Sequence, residues 1–294
     1  MDEHGQERRR MVERHLVARG VRDAAVLAAM QTVPREAFIA AELAEFAYED
    51  APLPIDAGQT ISQPYIVAAM TAALELEPHH RVLEIGTGSG YAAAVLSRIA
   101  AEVYTVERHE ELALAAERRL RGLGYANVHV RHGDGTLGWI DHAPYDAIVV
   151  AAGGPDIPQA LLEQLAVGGR LVIPIGPTPR AQELVRVRRS SARAYAREQL
   201  GPVRFVPLVG VEGWQEQPGA GLPAPRPAAS RPEIVATLLR EAADPWRARH
   251  LPVRALMHPT MSDDARDAAR LPGSAPALPL ADIAAVRTRL RSGR

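Results

Sequence analysis

The chain has 294 residues, 47% hydrophobic and 23% charged, with a formal net charge of -1. That length suffices for one α/β domain with a substantial core plus an appendage. The near-neutral balance argues against a dedicated nucleic-acid binder, which would carry a basic excess. All 34 basic residues are arginine, which together with the Ala and Pro enrichment reads as coding bias rather than as a binding surface. Cysteine is absent, excluding disulfides, thiolate metal sites and cysteine nucleophiles. No apolar run approaches the ~20 residues of a membrane span, and the first ten residues lack an apolar signal core. A soluble, cytoplasmic monomer with no membrane or nucleic-acid partner is expected.

In chain order, residues 6–31 predict two short helices separated at Gly20, with Leu16, Val17, Val21, Val26, Leu27 and Met30 at helical spacing. Val33-Pro34-Arg35-Glu36 interrupts them, because proline disfavours helix at the residue before it. Residues 51–64 hold too much Pro and Gly for regular structure and read as an ordered loop leading into a helix at 65–76. Strands are expected near 81–86, 102–107, 127–131, 145–151, 170–175, 183–189 and 203–209, with helices near 90–99, 109–122 and 158–166. This alternation implies a mainly parallel seven-stranded sheet flanked by helices on both faces. In such sheets ligands bind beyond the C-terminal strand ends. Arg186, Arg188 and Arg189 alternate with Val185 and Val187 and read as the solvated side of an edge strand. One domain would span 1–210, with N-terminal helices and the ordered loop in 1–78 and the ligand-binding sheet in 79–210. Residues 211–232 read as a linker, and 233–294 as a partly helical C-terminal extension of unknown purpose.

The densest signal is Arg81-Val82-Leu83-Glu84-Ile85-Gly86-Thr87-Gly88-Ser89-Gly90, an apolar strand turning tightly into a helix. Dinucleotide folds use G-x-G-x-x-G to face a pyrophosphate. Here the glycines fall at every second position with Glu84 before them, a form that resembles the first motif of S-adenosylmethionine-dependent methyltransferases. The second strand ends in Glu107, about 20 residues beyond the glycines, where an acid suits the two ribose hydroxyls. Glu107 is also placed to cap the helix that follows. The third leads into His132-Gly133-Asp134-Gly135, where Asp134 can accept from an adenine amino group and Gly135 lets the backbone approach the ring. Glu84 itself either ties down the glycine loop or meets the cofactor's amino group through water, since a buried acid needs a partner. The expected cofactor-binding set is therefore Glu84, Gly86, Thr87, Gly88, Ser89, Gly90, Glu107, Asp134 and Gly135.

Several further segments resemble one family, the protein-L-isoaspartate O-methyltransferases. They are Val33-Pro34-Arg35-Glu36, Leu53-Pro54-Ile55, Gly58-Gln59-Thr60-Ile61-Ser62-Gln63-Pro64, residues 82–90, His132-Gly133-Asp134-Gly135 and Phe205-Val206-Pro207-Leu208-Val209. The G-Q-T-I-S-Q-P loop discriminates, because generic methyltransferases share the glycine motif without it. After Val150 the chain reads Ala151-Ala152, where many members of the family have threonine following the valine. The resemblance covers about 10–210 and implies a Rossmann-like methyltransferase fold. It also implies methyl transfer from S-adenosyl-L-methionine to the free carboxylate of L-isoaspartyl residues in damaged proteins and peptides. It assigns Ser62 to the active site, and Leu53, Pro54, Ile55, Gln59, Thr60, Ile61, Val206 and Leu208 to substrate binding. Without it, Ser62 reads as the cap of the helix starting near Pro64. Two other readings stay open. One is a carboxyl methyltransferase aimed at an aspartate of one peptide partner recognised by the extension; the other is a non-catalytic module binding the cofactor or damaged protein. The ten histidines form no H-E-x-x-H or comparable ligand set, and no metal is expected.

Overall fold

The computed structural model of the protein describes residues 3–215. Helix α1 (Glu3–Met11) runs through a π turn and a 3-10 turn to Gly20, whose φ of 96° stops it. Helix α2 (Ala24–Thr32) starts under Asp23, whose side chain accepts from Ala25 N and Val26 N. The expected pair of helices divided at Gly20 is therefore present. Two short antiparallel strands, β1 (Leu53–Pro54) and β2 (Thr60–Ile61), pair Leu53 with Ile61 and make the Pro/Gly-rich loop a hairpin. Helix α3 (Pro64–Ala73) follows with proline in its first turn.

The sheet comprises β3 (Arg81–Ile85), β4 (Glu102–Glu107), β5 (Val128–His132), β6 (Tyr145–Val150), β7 (Leu165–Thr178), β8 (Ala181–Arg189) and β9 (Tyr195–Val203), in the order β5-β4-β3-β6-β7-β8-β9. The first five in that order are parallel, and β8 and β9 join antiparallel. Helices α4 (Tyr91–Ser97), α5 (Glu110–Gly122) and α6 (Gln159–Gln164) form the crossovers. Successive strand residues point to opposite faces, and both faces of the central strands are buried. Val82, Val103 and Val149 pack with α3, α4 and the N-terminal helices, whereas Leu83, Ile85 and Ile148 pack with Leu161 and Leu165. The chain leaves β3 for β4 and β5, then returns to β6 on the other side of β3. The crevice at this reversal is where such sheets bind ligands.

Two expectations need correction. The seventh strand is 195–203 rather than 203–209, and β8 is therefore interior rather than an edge. Residues 195–203 lack apolar alternation, with only Leu200 and Val203 buried, so periodicity passes them by. Arg186 is not solvated: its guanidinium bonds Glu198 on β9 (2.6 Å) and Glu75 before β3 (3.1 Å). The linker and extension expected at 211–294 lie outside the described residues except for 211–215.

Candidate active site

After Ile85 the backbone turns through Gly86–Gly90 into α4. Gly86 N donates to Val106 O (2.8 Å) and Gly90 N to Thr87 O (2.8 Å). Gly88 and Gly90 have φ of +54° and +91°, which L side chains rarely adopt. A Cβ at Gly88 would stand 3.4 Å from Ile55 Cδ1, and one at Gly90 3.1 Å from Leu120. The hairpin carrying Leu53, Pro54 and Ile55 thus lies directly against the glycine loop, on a position kept small. Thr87 and Ser89 are buried. Arg119 of α5 steadies the loop by donating to Ser89 O (2.9 Å).

Three acids surround this loop. Glu84 is fully buried; Thr105 donates to its Oε2 (2.6 Å), and the Thr87 hydroxyl lies 2.6 Å from that of Thr105. Its Oε1 is buried with no hydrogen-bond partner among the described residues. Burial raises the Glu84 pKa to about 8, against the Thr105 hydrogen bond and with help from the Glu107 charge. An unpartnered carboxyl oxygen two residues before the glycines suits a polar group of a ligand, and a positively charged ligand would favour loss of the carboxyl proton. Glu107 accepts from Gly88 N at Oε2 (2.8 Å) and from His109 N at Oε1 (3.0 Å), so it holds the glycine loop and the turn before α5; the cap position of α5 is His109, not Glu107. Asp134 accepts from Thr136 N (2.8 Å) and Thr136 Oγ1 (2.7 Å) at Oδ1, and from Val211 N (2.8 Å) at Oδ2. Gly135 is pressed against the Ile85 side chain, leaving no room for a Cβ. The structure thus gathers Glu84, Glu107 and Asp134 at the C-terminal ends of three adjacent strands.

On the hairpin, Ile55 N donates to Gln59 O (2.9 Å), and the Gln59 side chain turns back to Ala57 O (3.1 Å). Leu53 and Ile61 are buried; Thr60 is exposed, and Pro54, Ile55, Gln59 and Ser62 are half-buried. Ser62 does not cap α3: the cap position is Gln63, which makes no side-chain cap bond. None of the hydrogen bonds among the described residues engages the Ser62 hydroxyl. Sequence reasoning passed over Asp50, which accepts from Tyr65 N (3.1 Å), Gln63 Nε2 (2.7 Å) and Arg19 Nη1 (2.6 Å). The only local signal was an acid just ahead of the Pro/Gly-rich loop.

Residues 205–214 close the site from the far edge. Buried Gln182 brackets Phe205, accepting from its N (2.8 Å) and donating to its O (3.1 Å). Gly153 N donates to Val206 O (2.8 Å) and Leu208 N to Gly153 O (2.9 Å). The Leu208 side chain is core, whereas Val206 stays 36% exposed and presents its side chain outward. Beyond them Glu212 N donates to Thr136 Oγ1 (3.2 Å), its carboxylate accepts from Ala160 N (3.3 Å), and Trp214 Nε1 donates to Gly153 O (2.8 Å). Residues 211–214, read from composition as a linker, are thus tied to the ends of β5, β6 and α6. Elsewhere, Glu77, His79 and His80 cluster at the opposite end of the sheet, before β3. His80 Nδ1 accepts from Glu77 N (3.0 Å).

These features agree with what the chain is similar to. A family model described as protein-L-isoaspartate(D-aspartate) O-methyltransferase matches residues 6–213. Protein-L-isoaspartate O-methyltransferase 1 of Geotalea uraniireducens is 66% identical over 204 residues, 69% of this chain and 93% of its own length. The Rhodopseudomonas palustris (strain HaA2) protein of the same description is 58% identical over 229 residues, 78% of this chain and 91% of its own. Among solved structures, one protein-L-isoaspartate O-methyltransferase matches with a TM-score of 0.64 and 31% identity, over 70% of this chain and 67% of its own. A Plasmodium falciparum structure described as this enzyme in complex with S-adenosyl-L-homocysteine matches with a TM-score of 0.60 and 26% identity, over 69% and 98%. The chain belongs to the protein-L-isoaspartate(D-aspartate) O-methyltransferase family.

Proposed function

We propose that the protein transfers a methyl group from S-adenosyl-L-methionine to the side-chain-derived carboxylate of L-isoaspartyl residues in damaged proteins and peptides. Family membership supports the reaction class. The single structural observation that supports the reading is the seating of Ile55 against Gly88, which brings the hairpin preceding Ser62 onto the glycine loop.

In this reading the cofactor lies over the glycine loop. Glu107 receives its ribose hydroxyls and Asp134 its adenine amino group. Each carboxylate oxygen has two lone pairs, so Glu107 keeps acceptor capacity beyond the Gly88 and His109 amides. Glu84 Oε1 faces the positive end of the cofactor, directly or through water, and Thr87 and Ser89 line the turn. When bound, the cofactor supplies an activated methyl on a sulfonium sulfur.

The chain's own contribution is alignment and exclusion of water. A carboxylate with a pKa of about 4 is already ionised at neutral pH, so no general base is needed. Ser62 donates a hydrogen bond to one carboxylate oxygen and thereby turns the other toward the methyl group. The bound cofactor would supply the methyl group, and the chain would hold the carboxylate in line with it away from water, which favours a reaction that neutralises an anion and a cation together. Pro54, Ile55, Gln59 and Thr60 offer a wall for an extended substrate backbone, backed by buried Leu53 and Ile61, and Val206, backed by buried Leu208, adds to it. The ester then has a leaving group that the following backbone nitrogen displaces, closing a succinimide whose hydrolysis returns some normal aspartate. A cytoplasmic monomer with no nucleic-acid or membrane partner completes the reading. No helix among the described residues is long and apolar enough to cross a membrane. Methylation of an isoaspartyl peptide with its aspartyl isomer as control tests the reading directly.

A further inference from the structure

We propose that Asp50 is a positioning residue for Ser62, acting through the side chain of Gln63. The inference rests on the reading of Ser62 given above. Ser62 sits where regular structure gives least support. Strand β2 ends at Ile61, Pro64 has no N–H to donate, and the first α3 backbone bond reaches back only to Gln63 O from Val67 N (3.1 Å). What fixes the chain on the far side of Ser62 is one carboxylate. Asp50 Oδ2 accepts from Gln63 Nε2 (2.7 Å), Asp50 O accepts from the same nitrogen (2.8 Å), and Oδ1 accepts from Tyr65 N (3.1 Å). Rotation about the 62–63 backbone would swing the Ser62 hydroxyl, and it would have to break the two bonds to Gln63.

The carboxylate is itself anchored. Arg19 donates to Asp50 Oδ2 (2.6 Å), with its guanidinium carbon 3.5 Å over the Tyr65 ring. Behind it, fully buried Arg35 donates to Ala51 O (3.4 Å), and its Nε and Nη1 have no partner among the described residues. Its guanidinium carbon lies 4.9 Å from the Tyr91 ring centroid, which fixes the side chain in place. A few residues earlier, Arg8 of α1 donates to the Tyr48 hydroxyl (2.9 Å), which bonds Glu36. The N-terminal helices thus grip residues 48–51, and Asp50 hands that rigidity to the Ser62 turn. Misplacement of a reacting group by ~1 Å costs on the order of 100-fold in rate, so this support belongs to the reaction as well as to the fold.

The test compares Ser62→Ala, Gln63→Ala, Asp50→Asn and the double variant Ser62→Ala/Gln63→Ala in the full chain. It measures kcat and KM for an isoaspartyl peptide at saturating S-adenosylmethionine, the Kd for S-adenosylhomocysteine, and the Tm. Gln63 is half-buried, so Gln63→Ala folds even if Asp50→Asn does not. The expected result is a kcat about 10-fold lower for Gln63→Ala, Kd within 2-fold of wild type, and no further loss when Gln63→Ala is added to Ser62→Ala. A merely structural role would lower Tm and would add its loss in both backgrounds. Wild-type kcat for Gln63→Ala, or losses that multiply in the double variant, would overturn the proposal while leaving Ser62 in place. Wild-type kcat for Ser62→Ala would overturn the reading of Ser62 and the proposal with it.

Discussion

Glu107 is the residue whose replacement separates a cofactor contact from a loop prop. In Glu107→Gln the side chain keeps its shape but offers one acceptor oxygen in place of two. The carboxylate now serves Gly88 N at 2.8 Å and His109 N at 3.0 Å, in a site only 5% exposed. One of those amides must then face an NH2 group, and a buried donor left unpaired costs about 1–3 kcal/mol. That loss falls on the folded protein with or without ligand and should appear as a lower Tm. The two ribose hydroxyls lose charge-assisted bonds, which are about twice as strong as neutral ones, or roughly 1 kcal/mol each. The sum of about 2 kcal/mol corresponds to a Kd for S-adenosylhomocysteine about 30-fold weaker. Isothermal titration calorimetry with thermal denaturation reads both quantities. A Kd within 2-fold of wild type, together with a reduced Tm, would refute the ribose assignment and leave Glu107 as a tie for the glycine loop and the turn before α5 alone.

Ser62→Ala should lower kcat by about 10- to 100-fold, the worth of one hydrogen bond to a charged group, while the Kd for S-adenosylhomocysteine holds within 2-fold. For Glu84, burial raises the pKa to about 8, so the folded protein holds a proton that the unfolded chain releases near pH 4.5. Its stabilising contribution is therefore complete in acid and is lost as pH rises through about 8. The stability of wild type relative to Glu84→Gln should fall between pH 5 and 8, by up to about 1.4 kcal/mol per pH unit; a flat difference in urea unfolding would contradict this. Gly88→Val should push Ile55 off the glycine loop and weaken both cofactor affinity and peptide turnover, since φ there is +54° and the nearest Ile55 carbon is already at contact distance. A chain ending at residue 215 should methylate isoaspartyl peptide within 2-fold of full length. One ending at 209 should lose several degrees of Tm, because it removes the Val211, Glu212 and Trp214 ties. Substantial loss of turnover in the 215 form would instead assign the extension a part in the reaction.

Features written into contiguous residues were the legible ones. The glycine loop declares itself because strand, turn and helix are adjacent in sequence. Glu107 and Asp134 follow because strand ends are where a parallel sheet aims its side chains at ligand. What the structure shows of these acids is their place at the strand ends and their bonds to the protein's own amides, which strand position alone does not reveal. Three things were hidden for a common reason. Strand β9 buries only Leu200 and Val203 and has no alternation to betray it. Residues 211–214 look like linker by composition, yet four hydrogen bonds to Asp134, Thr136, Ala160 and Gly153 hold them. Asp50 is one acid among 35 Asp and Glu residues, and its meaning lies in bonds to Arg19, Gln63 and Tyr65 that only the fold assembles.

The most direct test of the central claim is transfer of labelled methyl from S-adenosylmethionine to a synthetic isoaspartyl peptide, run beside the same peptide carrying normal aspartate. The account predicts base-labile methyl ester on the isoaspartyl peptide, succinimide following it, and near-background label on the aspartyl control. Equal labelling of the two peptides, or none on either while S-adenosylhomocysteine binds normally, would contradict it.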